Sequence, residues 1–486
     1  MTLKELPTAA WERILRDGRV SSHISIAIAG ALLLPVAFFY FRGLYRLYLH
    51  PLSSFPGPRE AAKSDSWLYS QIRTAFPEAT FQELHQRHQA KAIRIAPNEL
   101  HIADTTLYKV IYKQADPFPK HEAFYLGFCA LSPTVFTVVD QSAHRERRRM
   151  LSSMFSRAGV LKVEGVILEQ LNMLEKKIDR LCDKQNIDLY DACRLWTTAI
   201  ILEFCFAESG GMMEEQSYGF KSKFLKAFSV VQKLTIGIVG TNQFARTCVE
   251  QWRQAREKGT NVKHPIVLDN LESLDDDALV AESLDLLVAG SDTSATSLTV
   301  AVMEILSHPS IEKRLVEELD AAIPDKDNLP SVISLEKIAY LNACVKEGVR
   351  FATAVPGRLP RVVPDNGSTP FVVDNKLVPP GTIVSISAHT MHSSTDLWGA
   401  DARSFNPDRW LQPGAKHLEE YQVAFSKGSR MCLGMNLVPV ELTIALASFF
   451  RKYKLSFPPG FIPPRKVDNF TVELYGGLPL KVSRRA

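Results

Sequence analysis

With 486 residues, 46% of them hydrophobic and 23% charged, the chain has material for a large buried core and lacks the composition of a disordered protein. Its 57 basic and 53 acidic residues leave a formal charge of only +4, and no basic stripe is interleaved with aromatics, which argues against a nucleic-acid partner. Seven cysteines at 129, 182, 193, 205, 248, 344 and 432 include no CxxC pair; their scatter matches neither a disulfide framework nor a zinc site, and free thiols suit a reducing compartment.

Residues 1–23 form a leading tail. From Ile24 to Phe41 no residue is charged, and Leu44, Tyr45 and Tyr48 extend this to a 24–48 segment long enough to cross a bilayer. Pro35 bends such a helix without abolishing it. A cleaved signal peptide fits less well, because the run is long, starts late and lacks a small-residue cleavage site. Basic residues flank both ends (Lys4, Arg13, Arg16 and Arg19 before; Arg42, Arg46, Arg59 and Lys63 after), so charge alone does not set the orientation. Residues 49–60 follow as a proline-rich hinge, stiffened by Pro51, Pro56 and Pro58. No linker divides residues 61–486, which read as one large domain.

Within that domain the spacing predicts an amphipathic helix over 66–88 broken at Pro77, then strands at 92–95 and 99–102 around Pro97–Asn98. Residues 145–209 are mainly helical. A polar interval, 257–277, leads into a long apolar helix whose start is marked by Ser273–Asp277, hydroxyl and acidic groups that cap free N–H donors. Further helices are predicted at 310–322 and 334–350, short strands at 360–363, 370–373, 377–379 and 382–387, and a last helix over 435–453. The fold class is α+β, mainly helical.

Phe425-Ser-Lys-Gly-Ser-Arg-Met-Cys-Leu-Gly434 stands directly before the last helix. Gly428 and Gly434 permit tight turns around Cys432. A thiolate that accepts backbone N–H groups near a helix start is stabilised in its charged form. Such a sulfur can coordinate haem iron, Arg430 can pair with a haem propionate, and Phe425 can shield the sulfur from water. Taken alone, Cys432 reads equally as a buried structural cysteine beside a glycine turn. The stretch resembles the cysteine-ligand loop of the cytochrome P450 family, Phe-x-x-Gly-x-Arg-x-Cys-x-Gly, at all five named positions.

Three further motifs carry the resemblance in the expected order. Ala289-Gly-Ser-Asp-Thr-Ser294 lies inside the long helix and is similar to the family's oxygen-side motif. Gly290 and these hydroxyls are poor helix design, and the hydroxyls compete for backbone carbonyls. Thr293 is suited to hold oxygen and an ordered water by hydrogen bonds, while Asp292 relays protons. Glu347-Gly-Val-Arg350 alone would be an ordinary helical pair. It resembles the family's Glu-x-x-Arg, completed by Arg409 in Phe405-Asn-Pro-Asp-Arg-Trp410, which implies a buried network behind the cysteine loop. His144 and Arg148 share a helical face and resemble the family's Trp-x-x-x-Arg, with His in place of Trp; Arg361 matches its later propionate-binding arginine.

The resemblance implies a cytochrome P450 fold with an N-terminal transmembrane helix, 61–486 being the haem-thiolate catalytic domain, and haem b with Cys432 as the axial ligand. It implies a monooxygenase of the fungal microsomal type, resembling members in terpenoid and polyketide secondary metabolism, trichothecene-type pathways included. Electrons would come from NADPH through a separate NADPH-cytochrome P450 reductase, with cytochrome b5 as a second donor. The chain would sit in the endoplasmic reticulum membrane as a single-pass protein, tail luminal and catalytic domain cytosolic. The pocket would be lined by 118–135, 225–245, Leu286–Gly290, Ala352–Pro356 and 475–479, apolar walls that suit a lipophilic substrate. Phe351-Ala-Thr-Ala-Val departs from the family, where Leu and Pro are usual. Hydroxylation or epoxidation is the leading expectation. Multistep oxidation, oxidative cyclisation and desaturation share its chemistry, and a non-catalytic haem- or lipid-binding membrane protein is the third class.

Overall fold

The computed structural model describes residues 18–129, 131–207, 237–259, 264–365 and 370–485, with a few isolated positions between 211 and 225. Its longer helices, in chain order, are α1 (Gly18–Tyr48), α2 (Pro77–His88), α3 (Gln141–Ser152), α4 (Glu164–Leu181), α5 (Leu189–Phe206), α6 (Gly237–Glu257), α7 (Asp276–Ser307), α8 (Pro309–Ala322), α9 (Ala339–Ala352) and α10 (Leu437–Lys452). The strands are β1 (Ala92–Ala96), β2 (Glu99–Ile102), β3 (Ile187–Asp188), β4 (Arg361–Val362), β5 (Val372–Val373), β6 (Lys376–Leu377), β7 (Ile383–Ser385), β8 (Tyr453–Ser456), β9 (Arg465–Asn469), β10 (Thr471–Tyr475) and β11 (Pro479–Arg484).

The centre of the body is α7, packed against α5, α9 and α10. Asp275 caps it, accepting the Ala278 N–H at 2.9 Å. Both α7 and the segment Leu433–Lys452 are long and apolar enough to cross a membrane, but both are mostly buried among other elements and are core helices. Helix α1 differs: Leu33, Leu34, Phe38, Phe39 and Phe41 are between 59% and 71% exposed. Its end is fastened to the body by the buried Arg94, which donates to the Arg46 carbonyl at 2.7 Å and to the Pro97 carbonyl at 2.6 Å.

Beside the helices lies a sheet in the order β1-β2-β7-β4. β1 and β2 are antiparallel, β2 and β7 parallel (Leu100 opposite Val384), and β7 and β4 antiparallel (Arg361 opposite Val384). Helix α2 is tied to it by a buried chain in which His85 Nε2 meets His101 Nδ1 at 2.8 Å and His101 Nε2 meets Glu78 at 3.3 Å. A second sheet sets β11 between β3 and β8, while β9 and β10 form a hairpin.

The break at Pro77 is present, with short helix Ser66–Ile72 before α2. The expected helix over 334–350 is divided into a turn at Val332–Leu335 and α9. Glu318 of α8 accepts the Tyr340 N–H at 2.9 Å, so a neighbouring helix caps α9 and resets its start. The strands after residue 453 have no counterpart in the sequence reading. Of the expected pocket regions, 226–236 lies outside the described residues.

Candidate active site

Gly428 shapes the cysteine loop. It has φ +74°, and a Cβ there would stand 2.4 Å from the carbonyl oxygens of Tyr112 and Lys113, so both conformation and space require glycine. The Cys432 N–H donates to the Phe425 carbonyl at 2.8 Å, closing the loop, and Cys432 then opens the 3-10 turn that leads into α10. Alone among the seven cysteines, Cys432 is exposed, although its loop is surrounded by core. A thiol deep in the fold with accessible surface lines an internal cleft. Desolvation raises its pKa, while the Gly434 N–H and the charge of Arg148 oppose that rise and favour the thiolate.

A cluster of basic side chains faces the same region. Arg148 donates to the Met431 carbonyl at 2.6 Å, within the cysteine loop. Arg430 donates to the carbonyls of Val138 at 2.8 Å and Val139 at 2.6 Å; burial and then Arg361 push it down to about 10. Arg361, on edge strand β4, is 2% exposed and donates to the Tyr125 hydroxyl and the Leu359 and Pro360 carbonyls. The buried His144 is pushed down to about 3 by desolvation and by Arg430, Lys120, Arg148 and Arg361. It is thus a neutral hydrogen-bonding group. Lys120, which the sequence reading missed, donates to the Phe136 carbonyl, stands 4.4 Å from the Tyr125 ring centroid, and is pushed down to about 6 by burial and by Arg430 and Arg361. Its signal was only its place between Pro119 and His121.

These groups suppress one another because cations gather with few acids between them. Two carboxylates presented beside them would relieve that repulsion. The accessible thiol and this basic rim are the donor set that a dianionic porphyrin with thiolate-ligated iron requires, so the residues fit haem b.

The accessible part of α7 between Ala278 and Met303 is confined to Asp285, Val288, Ala289, Gly290 and Thr293. Spacings of three, four and eight residues place this stripe on one face. Leu286 and Leu287, expected in the pocket wall, are buried and point elsewhere, and the stripe carries a carboxylate where apolar walls were expected. Gly290 allows α5 close: a Cβ would stand 2.7 Å from the Ile201 side chain. As expected, hydroxyls take main-chain carbonyls: Ser291 on Leu287 and Thr293 on Ala289, both at 2.7 Å, and Ser297 on Thr293 at 2.8 Å. The helix nonetheless runs unbroken. Asp292 is 4% exposed and accepts from Arg194 Nε of α5 at 2.7 Å, a partner with no signal in the sequence because it lies 98 residues away. Ser294 donates to Glu441 of α10 at 2.6 Å, joining the oxygen-side helix to the helix that follows Cys432.

The expected ion-pair network is present and buried. Arg350 donates to both oxygens of Glu347 at 2.9 and 2.8 Å, and Arg409 Nε donates to one of them at 3.1 Å. The Asn406 N–H and the Trp410 indole add donors, each at 2.9 Å. His392, another residue the sequence reading missed, relays this network to the loop: Arg350 donates to its carbonyl at 2.8 Å, and its Nε2 accepts the Val423 N–H at 3.0 Å.

Aromatic residues in and beside the expected 118–135 region meet. Phe128 lies against Phe124 and Phe136 at 5.4 and 5.6 Å. Phe470, at the β9–β10 turn, joins them at 4.7 Å from Phe128.

A sequence model of the family described as Cytochrome P450 matches residues 241–475. The chain is 31% identical over 459 residues to the cytochrome P450 monooxygenase aneF of Aspergillus aculeatus, covering 85% of this chain and 90% of that one. It is 30% identical over 463 residues to the cytochrome P450 monooxygenase sdnE of Sordaria araneosa, covering 84% and 88%. Its fold matches the crystal structure of the cytochrome P450DA heme domain with a TM-score of 0.76 at 17% identity, over 89% of this chain and 98% of that one. Loop, network, fold and relatives agree, and the chain belongs to the cytochrome P450 family as a monooxygenase.

Proposed function

We propose that this monooxygenase hydroxylates or epoxidises a lipophilic small molecule in fungal secondary metabolism, drawing electrons from NADPH through a separate reductase, with cytochrome b5 as a second donor. The observation that carries the reading is the accessible thiol of Cys432, set in its glycine-bounded loop beside Arg148 and the basic cluster. Cys432 would hold haem b, which when bound would supply the activation of dioxygen. Arg148, Arg361, Arg430, Lys120 and His144 would hold its carboxylates.

The protein's own part is proton handling and water control. The Thr293 hydroxyl rests on the Ala289 carbonyl, and by rotating about its side-chain bond it can instead donate into the cleft. Asp292 is held by Arg194, so for it to pass protons towards Thr293 its carboxylate must swing away from that guanidinium. The cluster of Phe124, Phe128, Phe136 and Phe470 keeps water out of the substrate side.

In this reading α1 crosses the endoplasmic reticulum membrane, with residues 1–23 luminal and the body cytosolic. Its exposed apolar surface and the Arg94 fastening support that placement, since the fastening holds the helix end at a set pose against the body. The test is turnover. Microsomes that contain the chain and a cytochrome P450 reductase, supplied with NADPH and extracts of a strain lacking the gene, should yield a product one oxygen atom heavier than a consumed compound. Consumption with no oxygen gained would contradict hydroxylation and epoxidation.

A further inference from the structure

Residues 134–140 form a strap that is held at both ends. At one end the Val138 and Val139 carbonyls accept from Arg430 of the cysteine loop at 2.8 and 2.6 Å, and Asp140 caps α3 through the Ala143 N–H at 2.8 Å. At the other end two acids of α7 hold two consecutive residues. The Val135 N–H donates to both oxygens of Glu282, at 3.0 and 3.1 Å, and the Thr134 hydroxyl donates to Asp285. The Thr134 N–H donates to the Thr137 hydroxyl at 2.8 Å and the Thr137 N–H to the Thr134 hydroxyl at 3.2 Å, which makes this end one unit. Phe136 rides on it, with its ring against Phe128 and Phe470.

The Glu282 side chain is fully covered, and Arg147 of α3 donates to its Oε2 at 2.9 Å. One guanidinium and one shared N–H are fewer donors than an ionised carboxylate can accept. Burial raises the group from about 4.5 to about 7, opposed by the Val135 N–H and Arg147 and reinforced by Asp285. Lifting the strap removes Val135 and admits water, which returns the carboxyl towards its ordinary value. A group that holds its proton more tightly when covered favours the covered state at low pH. The closed strap is therefore most stable with Glu282 protonated, and it loses stability as pH climbs from about 4.5 towards 7.

The other charges around this part of α7 are already engaged. Lys120 lies by Asp285 and donates to the Phe136 carbonyl. The turn Val267–Leu271, packed against α3 and α7, carries Asp269, which accepts from the Trp252 indole at 3.0 Å. From α6, Arg246 and Arg253 pair with Asp277 and Asp276, and from α5, Arg194 pairs with Asp292. Glu441 of α10 is held by Ser294, further along the helix. We propose that Glu282 is a proton-controlled latch: protonated, it keeps residues 134–137 down on α7; ionised, it lets them lift on the end held by Arg430, drawing Phe136 out of the aromatic cluster. This adds a regulation to the monooxygenase reading and is independent of which compound is oxidised.

The test is hydrogen–deuterium exchange of the haem-loaded, full-length protein, followed in the peptide spanning 131–140 and corrected for intrinsic exchange. The turn Val332–Leu335 serves as an internal reference, and the reduced carbon-monoxide spectrum reports the integrity of each sample. Between about pH 5.5 and pH 8, wild-type protection of the strap should fall by about 10- to 100-fold relative to the reference. Glu282→Gln, which cannot ionise, should keep that protection level within about threefold. Asp285→Asn should retain the transition. Arg147→Met removes the cation that opposes the rise, and should move the upper end of the transition to higher pH by about one unit. Wild-type protection that does not change with pH overturns the latch, and so does a Glu282→Gln profile parallel to wild type. A transition lost in Asp285→Asn would place the control on the other acid and also overturns it. Should Glu282→Gln lose the spectrum, Arg147→Met decides: an upper end that stays in place or moves down overturns the latch.

Discussion

Glu347, behind the cysteine loop, and the carboxylates Glu282 and Asp285 of α7 and Glu441 of α10 are all shielded acids, yet they are treated in opposite ways. Glu347 receives two hydrogen bonds from Arg350 and one each from Arg409, the Asn406 N–H and Trp410. Among the described residues Glu441 receives one bond, from Ser294, and its other oxygen has none; desolvation lifts it to about 8. Desolvation likewise lifts Glu282 to about 7, against the Val135 N–H and Arg147, and Asp285 to about 6. A saturated carboxylate holds a charge permanently and fixes structure. A poorly satisfied one changes protonation near neutrality and is available for function.

This contrast can be broken by substitution. Glu347→Ala would strand two buried guanidinium groups, at about 3–5 kcal/mol, and should give a protein that loses haem; thermal unfolding and haem content read it directly. A variant with full haem and unchanged melting would show that the network is not structural.

Next in size is Glu441→Gln. The raised pKa means the folded state holds a proton that the unfolded chain releases above its ordinary value of about 4.5, so wild-type stability falls as pH climbs from there towards 8. The amide should remove this slope, making the variant more stable than wild type at pH 8 by on the order of a few kcal/mol and similar near pH 5. Parallel pH profiles in denaturant would contradict it.

Smaller effects belong to the oxygen side. Asp292→Asn should lower turnover by about 100-fold with haem content unchanged, because proton supply is lost while the helix still packs. Thr293→Ala should lower product per NADPH consumed by about tenfold while NADPH oxidation persists, as poorly held oxygen is reduced without reaching the substrate. Equal coupling in wild type and Thr293→Ala would remove Thr293 from proton handling.

The same contrast explains what could be read from sequence. Cys432 with its glycines, and Glu347 with Arg350, are local in the chain, so spacing and motif carry them. Arg194, Lys120, His392 and Glu441 act across dozens to hundreds of residues, and no local pattern marks them. The long helix α7 was legible because Ser273–Asp277 caps it and apolar residues sustain it. Which of its faces opens to the cleft was not, since that depends on how α5 closes against Gly290. The late strands β8 and β11 were invisible for a similar reason: their partners lie on other segments, so alternation over four to six residues gave too little signal.

The central claim is that the Cys432 sulfur ligates haem iron. It is tested most directly by the reduced, carbon-monoxide-bound absorption spectrum of the purified protein beside Cys432→His. The account expects the thiolate-type Soret band in wild type and its loss in the variant. A correctly folded wild type without that band, or a variant that retains it, would contradict the account.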